Sequence, residues 1–256
     1  MIVTLGSIRG APGVTSWSLL LAAAWPTDAE VAVERVVLEA DLAGGVLGAR
    51  YGWGVEPGVV SLISRLRRDE GGRALPIDKS ARTVGDGVFV VPGPETGEQA
   101  RSVWRTDIGL VAGRLAADPR VWFVDAGRFD EASSSVGFVD ASAATVVVCG
   151  GRPEDLVQVP SRIRATKSRC DRIGLLVTGP CAHSLDELAA FSGADAVWLA
   201  KETDDLAEAA ATALADSRAR RRSWLWRRAL EIAAEMSAMT TTVSRVALSQ
   251  AVGAGR

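Results

Sequence analysis

Lysine is nearly absent from this chain. Of 29 basic side chains only Lys79, Lys167 and Lys201 are lysines, so the other 26 are arginines. Chemistry that needs a lysine has three candidates, none in the first 78 residues. Histidine is rarer still: His183 stands alone, which leaves a Ser-His-Asp triad one choice of base, and no Gly-x-Ser-x-Gly elbow accompanies it. Cys149, Cys170 and Cys181 form an odd, scattered set without a CxxC pair, the usage of a reducing compartment. No window reaches about 18 uninterrupted apolar residues, which argues against a membrane-spanning helix. The first five residues lack both the basic start and the apolar stretch of about 7–15 residues that mark a secretory signal. Together these absences predict a cytoplasmic protein.

What is present is ordinary in amount and uneven in place. The 256 residues are 48% hydrophobic and 23% charged, with 26 glycines and 10 prolines, which excludes collagen-like and largely disordered chains. A chain of this length closes a core without disulfide or metal staples. The net charge of −2 hides an asymmetry. Residues 217–256 hold eight arginines against Glu231 and Glu235, a net +6, so residues 1–216 carry −8. A basic tail on an acidic body points to an anionic surface or an acidic partner for the tail, or to a plain soluble face.

Seven short Val- and Ile-rich runs (2–8, 36–40, 88–91, 121–124, 145–149, 173–178 and 196–199) read as strands buried on both faces. Between them lie helical patterns at 15–24, 59–68, 97–117, 153–167, 185–191 and 203–215. The alternation predicts an α/β fold: one doubly wound, mostly parallel sheet of about seven strands, spanning residues 1–216. Its binding crevice belongs at the carboxyl ends of the strands. Residues 44–58, rich in glycine, read as a long loop.

The first strand runs into Ser7-Ile8-Arg9-Gly10-Ala11-Pro12-Gly13-Val14-Thr15-Ser16, and a helix follows. Such a small-residue loop either turns tightly or aims backbone N–H groups at an anion. The second strand ends in Leu38-Glu39-Ala40-Asp41, and a later one in Val121-Trp122-Phe123-Val124-Asp125. In this order and spacing, residues 1–215 resemble the MinD/ParA family of deviant P-loop ATPases, including its pilus-assembly members of the CpaE/TadZ type. The family's loop reads Gly-Lys-Gly-Gly-x-Gly-Lys-Thr-Thr, and Gly10, Gly13 and Thr15 match it. The resemblance implies ATP and Mg²⁺ as cofactors. The loop Arg9, Gly10, Ala11, Pro12, Gly13, Val14, Thr15 and Ser16 would cradle the phosphates, and Thr15 and Asp125 would serve the metal. Glu39 and Asp41 would be the catalytic acids, the first orienting the attacking water. It also implies self-dimerisation or a protein partner, and a role in positioning or partitioning.

The departures bear on activity. Val14 stands where the family has its phosphate-clamping lysine, Arg9 replaces the signature lysine, Ile8 replaces the first loop glycine, and Thr178 takes the place of the base-recognising Asn. A charge-assisted phosphate contact contributes ~1.5–3 kcal/mol to binding. Losing one preorganised donor in a transition state costs about 10²–10³ in rate. The expectation is a pseudo-ATPase with Arg9 as the only cation near the loop and Val14 crowding the phosphate oxygens. An active dimerising ATPase is the alternative.

Other constellations carry less. Cys181 and His183 are two ligands without a second pair and read as a surface loop. Ser133, Ser134 and Ser135 read as a loop or helix cap. Residues 217–239 form an amphipathic helix whose Leu225, Ala229, Ile232, Met236 and Met239 make one stripe, with Trp224 and Trp226 among arginines at its start. That stripe either docks on the body, meets a partner, or lies on an anionic membrane surface at the inner face. A body of −8 argues against nucleic acid. Residues 240–256 read as a loosely ordered tail.

Overall fold

The computed structural model describes residues 1–9, 13–27, 33–54, 56–68, 75, 77–85, 87–129, 133–201, 203 and 205–253, the last thirteen of these as backbone only. The elements run β1 (Ile2–Ser7), α1 (Val14–Ala24), β2 (Arg35–Glu39), α2 (Leu47–Arg50), α3 (Val59–Leu66), β3 (Arg82–Thr83), β4 (Val88–Val91), α4 (Gly97–Ala117) and β5 (Val121–Arg128). They continue α5 (Val136–Asp140), β6 (Ala144–Gly150), α6 (Pro153–Leu156), α7 (Val159–Lys167), β7 (Ile173–Thr178), α8 (Leu185–Ser192), β8 (Ala196–Ala200), α9 (Leu206–Ala215), α10 (Ser217–Arg222) and α11 (Trp224–Gly253).

All seven expected strands form, and they are parallel to one another. The two-residue β3 adds an antiparallel edge to β4, giving the order β3-β4-β2-β5-β1-β6-β7-β8. β1 lies between β5 and β6, so the chain winds first to one side of it and then to the other. The carboxyl ends of the strands on both sides therefore open onto one crevice beside β1. The central runs β1 and β5 are buried along nearly their whole length, as their continuous apolar character requires.

Three differences from the sequence reading have local causes. The helix expected over 153–167 breaks into α6 and α7, because Pro160 has no N–H to give the carbonyl of Leu156. The expected loop over 44–58 contains α2, one helical turn whose Leu47 is fully buried. The basic tail is two helices, since Ser223 interrupts it and its Oγ accepts the N–H of Trp226 at 3.2 Å, capping α11. Past residue 239, where the spacing predicts the helix end, α11 continues to Gly253.

The apolar stripe of α11 is seated on the protein's own body. Leu225, Ala229, Ile232 and Met236 are each at most 2% exposed and join one hydrophobic cluster with Trp17, Leu20 and Leu21 of α1. Trp198 Nε1 donates to Glu235 at 2.7 Å, tying β8 to α11. Arg220 caps the end of α9 through the carbonyls of Ala213 and Leu214 and stacks over Trp226, 4.8 Å from the ring centre. The stripe is thus not a free membrane-facing surface, and no helix among the described residues is long and apolar enough to cross a membrane.

Candidate functional site

The crevice holds a cavity of about 690 Å³ walled by the ends of β1, β2, β6 and β7 and by the start of α1. Gly13 is its pivot. It caps α1 in the left-handed region (φ 85°, ψ 28°), where an L side chain is strained, and a Cβ there would collide with Leu206 at the start of α9. No acidic residue lies in the first turn of α1 and no side chain caps it, so its leading N–H groups face the crevice uncovered by described protein. Gly10, Ala11 and Pro12 lie outside the described residues. Arg9, Gly13, Val14, Thr15 and Ser16 all reach the wall. Val14, however, is only 6% exposed and belongs to the hydrophobic cluster under α1. Most of its side chain packs into that cluster, although the residue also lines the cavity.

Three carboxylates converge next to the helix start because β2 and β5 are register neighbours, with Glu39 opposite Asp125. Asp125 is fully buried just behind the wall. Its Oδ1 accepts the N–H of Gly127 at 3.0 Å, and its Oδ2 has no partner among the described residues. Burial, and secondarily the charges of Glu39 and Asp41, push its pKa up to about 7, against the pull of Thr15 and the Gly127 N–H. Asp41 is half-buried on the wall, packed so closely on Gly127 that a Cβ there would overlap its carboxyl. Burial raises its pKa, while the N–H of Ala43 works the other way.

Glu39 is only 1% exposed and its oxygens are already engaged. Oε1 accepts the N–H groups of Val46 (2.6 Å) and Leu47 (3.0 Å), and Oε2 accepts that of Gly93 (2.8 Å). Burial raises its pKa; these three donors and the charge of Arg50 pull it back. Geometrically Glu39 is the pin that seats α2 and the loop after β4, and Asp41 is the acid with an open flank.

The cavity is richer in cations than the sequence reading allows. Besides Arg9, its wall includes Arg50 at the end of α2, Arg152 after β6 and Lys201 after β8. This corrects the expectation of Arg9 as the only local cation. None of the four forms an ion pair with a described residue; Arg9 donates to the carbonyl of Glu154 at 3.2 Å, and Arg50 Nη1 lies 3.5 Å from Ser16 Oγ. Arg50 escapes a sequence reading because it sits in an apparent glycine-rich loop, and Lys201 because only the strand order brings it here. Thr178 also lines the cavity, with its hydroxyl donated to the carbonyl of Cys149 at 3.2 Å.

These features fit a phosphate-bearing ligand with a divalent cation. Three buried polar atoms without partners among the described residues lie in or just behind this wall: Asp125 Oδ2, and Trp17 Nε1 and Thr203 Oγ1 of two cavity-lining residues. A helix start bare of acid, four cations without a described counter-ion and an orphaned carboxylate oxygen beside Thr15 supply complementary partners for anion and metal. Protein groups alone do not make a metal cage, for no cluster of three or more His, Cys, Asp or Glu among the described residues is disposed to hold an ion.

No protein-family model matches the chain, and no curated protein matches it either. Solved structures do. A ParA family ATPase from Chlorobium tepidum TLS superposes with a TM-score of 0.72 at 14% identity, covering 91% of this chain and 96% of the other. The cell division ATPase MinD of Pyrococcus furiosus gives 0.69 at 15% identity, with 93% and 98% covered. The septum site-determining protein MinD of Pyrococcus horikoshii OT3, complexed with Mg-ADP, gives 0.68 at 14%, with 92% and 96% covered. The chain therefore has the fold of the MinD/ParA P-loop ATPases.

Proposed function

We propose that the protein binds ATP or ADP with Mg²⁺ in the crevice beside β1 and uses the bound state to position or scaffold a partner, with little or no hydrolysis. The observation that carries this reading is the buried, half-satisfied Asp125 beside Thr15, at the start of a helix whose loop has no lysine. Arg9, Gly13, Val14, Thr15 and Ser16, with Gly10, Ala11 and Pro12, would hold the phosphates through backbone N–H groups. Thr15 and Asp125 would hold the metal, which when bound supplies charge neutralisation to the phosphates. Asp41 is better placed than Glu39 to hold a water, because Glu39 is buried and already accepts three backbone N–H groups while Asp41 lines the cavity.

The weak-hydrolysis half follows from Val14. A preorganised cation at the bridging oxygen supports about 10²–10³ in rate, and a buried valine supplies none. The solved MinD that carries Mg-ADP supports the ligand class by likeness of fold. The setting, a pilus-assembly or secretion-type machine in the cytoplasm, follows the CpaE/TadZ resemblance. There a protein partner or a second copy is the expected contact, and the exposed Arg218, Arg221, Arg222 and Arg227 offer an acidic partner a docking face.

Calorimetry with ATP and Mg²⁺, paired with a phosphate-release assay, tests both halves. Binding without appreciable turnover is expected. Turnover matching intact family members and abolished by Asp125→Ala would favour the active dimerising switch, and absence of binding would remove the nucleotide reading.

A further inference from the structure

We infer that Arg50, delivered by α2, is the phosphate-binding cation of this site, standing in for the lysine the loop lacks, and that Glu39 is the residue that positions it. The inference rests on the nucleotide reading above and adds the group that makes binding possible without that lysine.

Four cations line the cavity, but they are not equivalent in place. Lys201 follows β8, three strand spacings from β1, about 14 Å away in the sheet. Arg152 follows β6 and is exposed, and Arg9 is exposed and already donates to the Glu154 carbonyl. Arg50 alone is half-buried against the first turn of α1, where its Nη1 is 3.5 Å from Ser16 Oγ. A guanidinium and the partial positive charge of a helix start converge there, two like-signed groups that share a need for one anion.

Glu39, the acid whose titration Arg50 affects, does not close an ion pair with it. Its oxygens accept the N–H groups of Val46, Leu47 and Gly93 instead. Those bonds anchor the start of α2, and Leu47 is buried in the core, so the helix cannot roll. One turn later the chain presents Arg50 to the crevice. An arginine without a described ion-pair partner, held by a buried carboxylate through a short helical turn, has the design of a preorganised N–H donor to an anion.

The test is calorimetry with two probes, Mg-ADP and inorganic triphosphate, on the full chain. Arg50→Ala is expected to weaken both by about 10- to 100-fold, the loss of one charge-assisted phosphate contact. Arg50→Lys should recover part of that loss, since charge returns without the fork. Thermal melts establish that each variant is folded, and Arg50→Gln replaces Arg50→Ala if the latter is not. Glu39→Gln should weaken triphosphate in the wild-type background and add nothing to Arg50→Ala, as expected of a residue acting through Arg50. Binding of both probes by Arg50→Ala within twofold of wild type overturns the inference, as does a loss that follows Lys201→Ala instead. Wild-type protein that binds neither probe would overturn the nucleotide reading and this inference together.

Discussion

Replacing Asp125 with asparagine should stabilise the metal-free protein, and by an amount that grows with pH. In the folded chain the Asp125 carboxyl is fully buried and its pKa is raised from 3.8 to about 7. A raised carboxyl pKa means that the folded state binds the proton more tightly than the unfolded state. Stability from this group is therefore greatest at low pH and is lost as pH climbs from the unfolded value through the folded one. At pH 8 the cost relative to an uncharged side chain is about 4 kcal/mol, and at pH 5 about 1.5 kcal/mol. The substituted amide titrates at neither pH and keeps an oxygen for the Gly127 N–H. The gap between variant and wild type should thus widen by about 2–3 kcal/mol from pH 5 to pH 8, near 5 °C in Tm for a chain of this size. Scanning calorimetry at both pH values, with a chelator present, measures it. Glu39 and Asp41 shift in the same direction but are common to both proteins. A gap that is constant with pH, or that narrows on going to pH 8, would refute the picture of a carboxylate waiting for a cation.

Two other perturbations probe the frame of the site. Glu39→Ala leaves three backbone donors without their acceptor at about 1–3 kcal/mol each, so urea unfolding should show a loss of at least about 3 kcal/mol. A loss below about 1 kcal/mol would mean that α2 is not pinned as described. Ile232→Ala in α11 should cost about 2–5 kcal/mol, the range for a large side chain removed from a closed core, and a near-neutral result would mean that α11 does not rest on α1.

The strands are legible in the sequence because they are simple. Val and Ile runs buried on both faces, such as 121–124 and 145–149, have almost no other stable use in an alternating chain. The passage from β1 into α1 is legible because Gly13 and the helical run after it are neighbours in the chain. α2 is not, since four residues among Gly44, Gly45, Gly48 and Gly52 cannot display helical periodicity. Its helix exists because Glu39, a strand away, accepts its first N–H groups. The cations are hidden in a different way. Arg50, Arg152 and Lys201 meet only through the strand order, which no local pattern encodes. The tail shows the limit from the other side. Its apolar stripe can be read from spacing, yet which surface covers it is decided by α1, roughly two hundred residues earlier in the chain.

That last contact has a consequence for how the protein meets others. α1 is buried at ten of its eleven positions, between the sheet, α9 and α11, and only Thr15 is half open to the crevice. The C-terminal helix is thus the outer skin of the helix that borders the cavity. A partner that grips the arginine-bearing side of α11 stands one helix layer, about 8–10 Å, from Thr15's helix. Whatever such a partner pulls or presses, it does so against the back wall of the cavity.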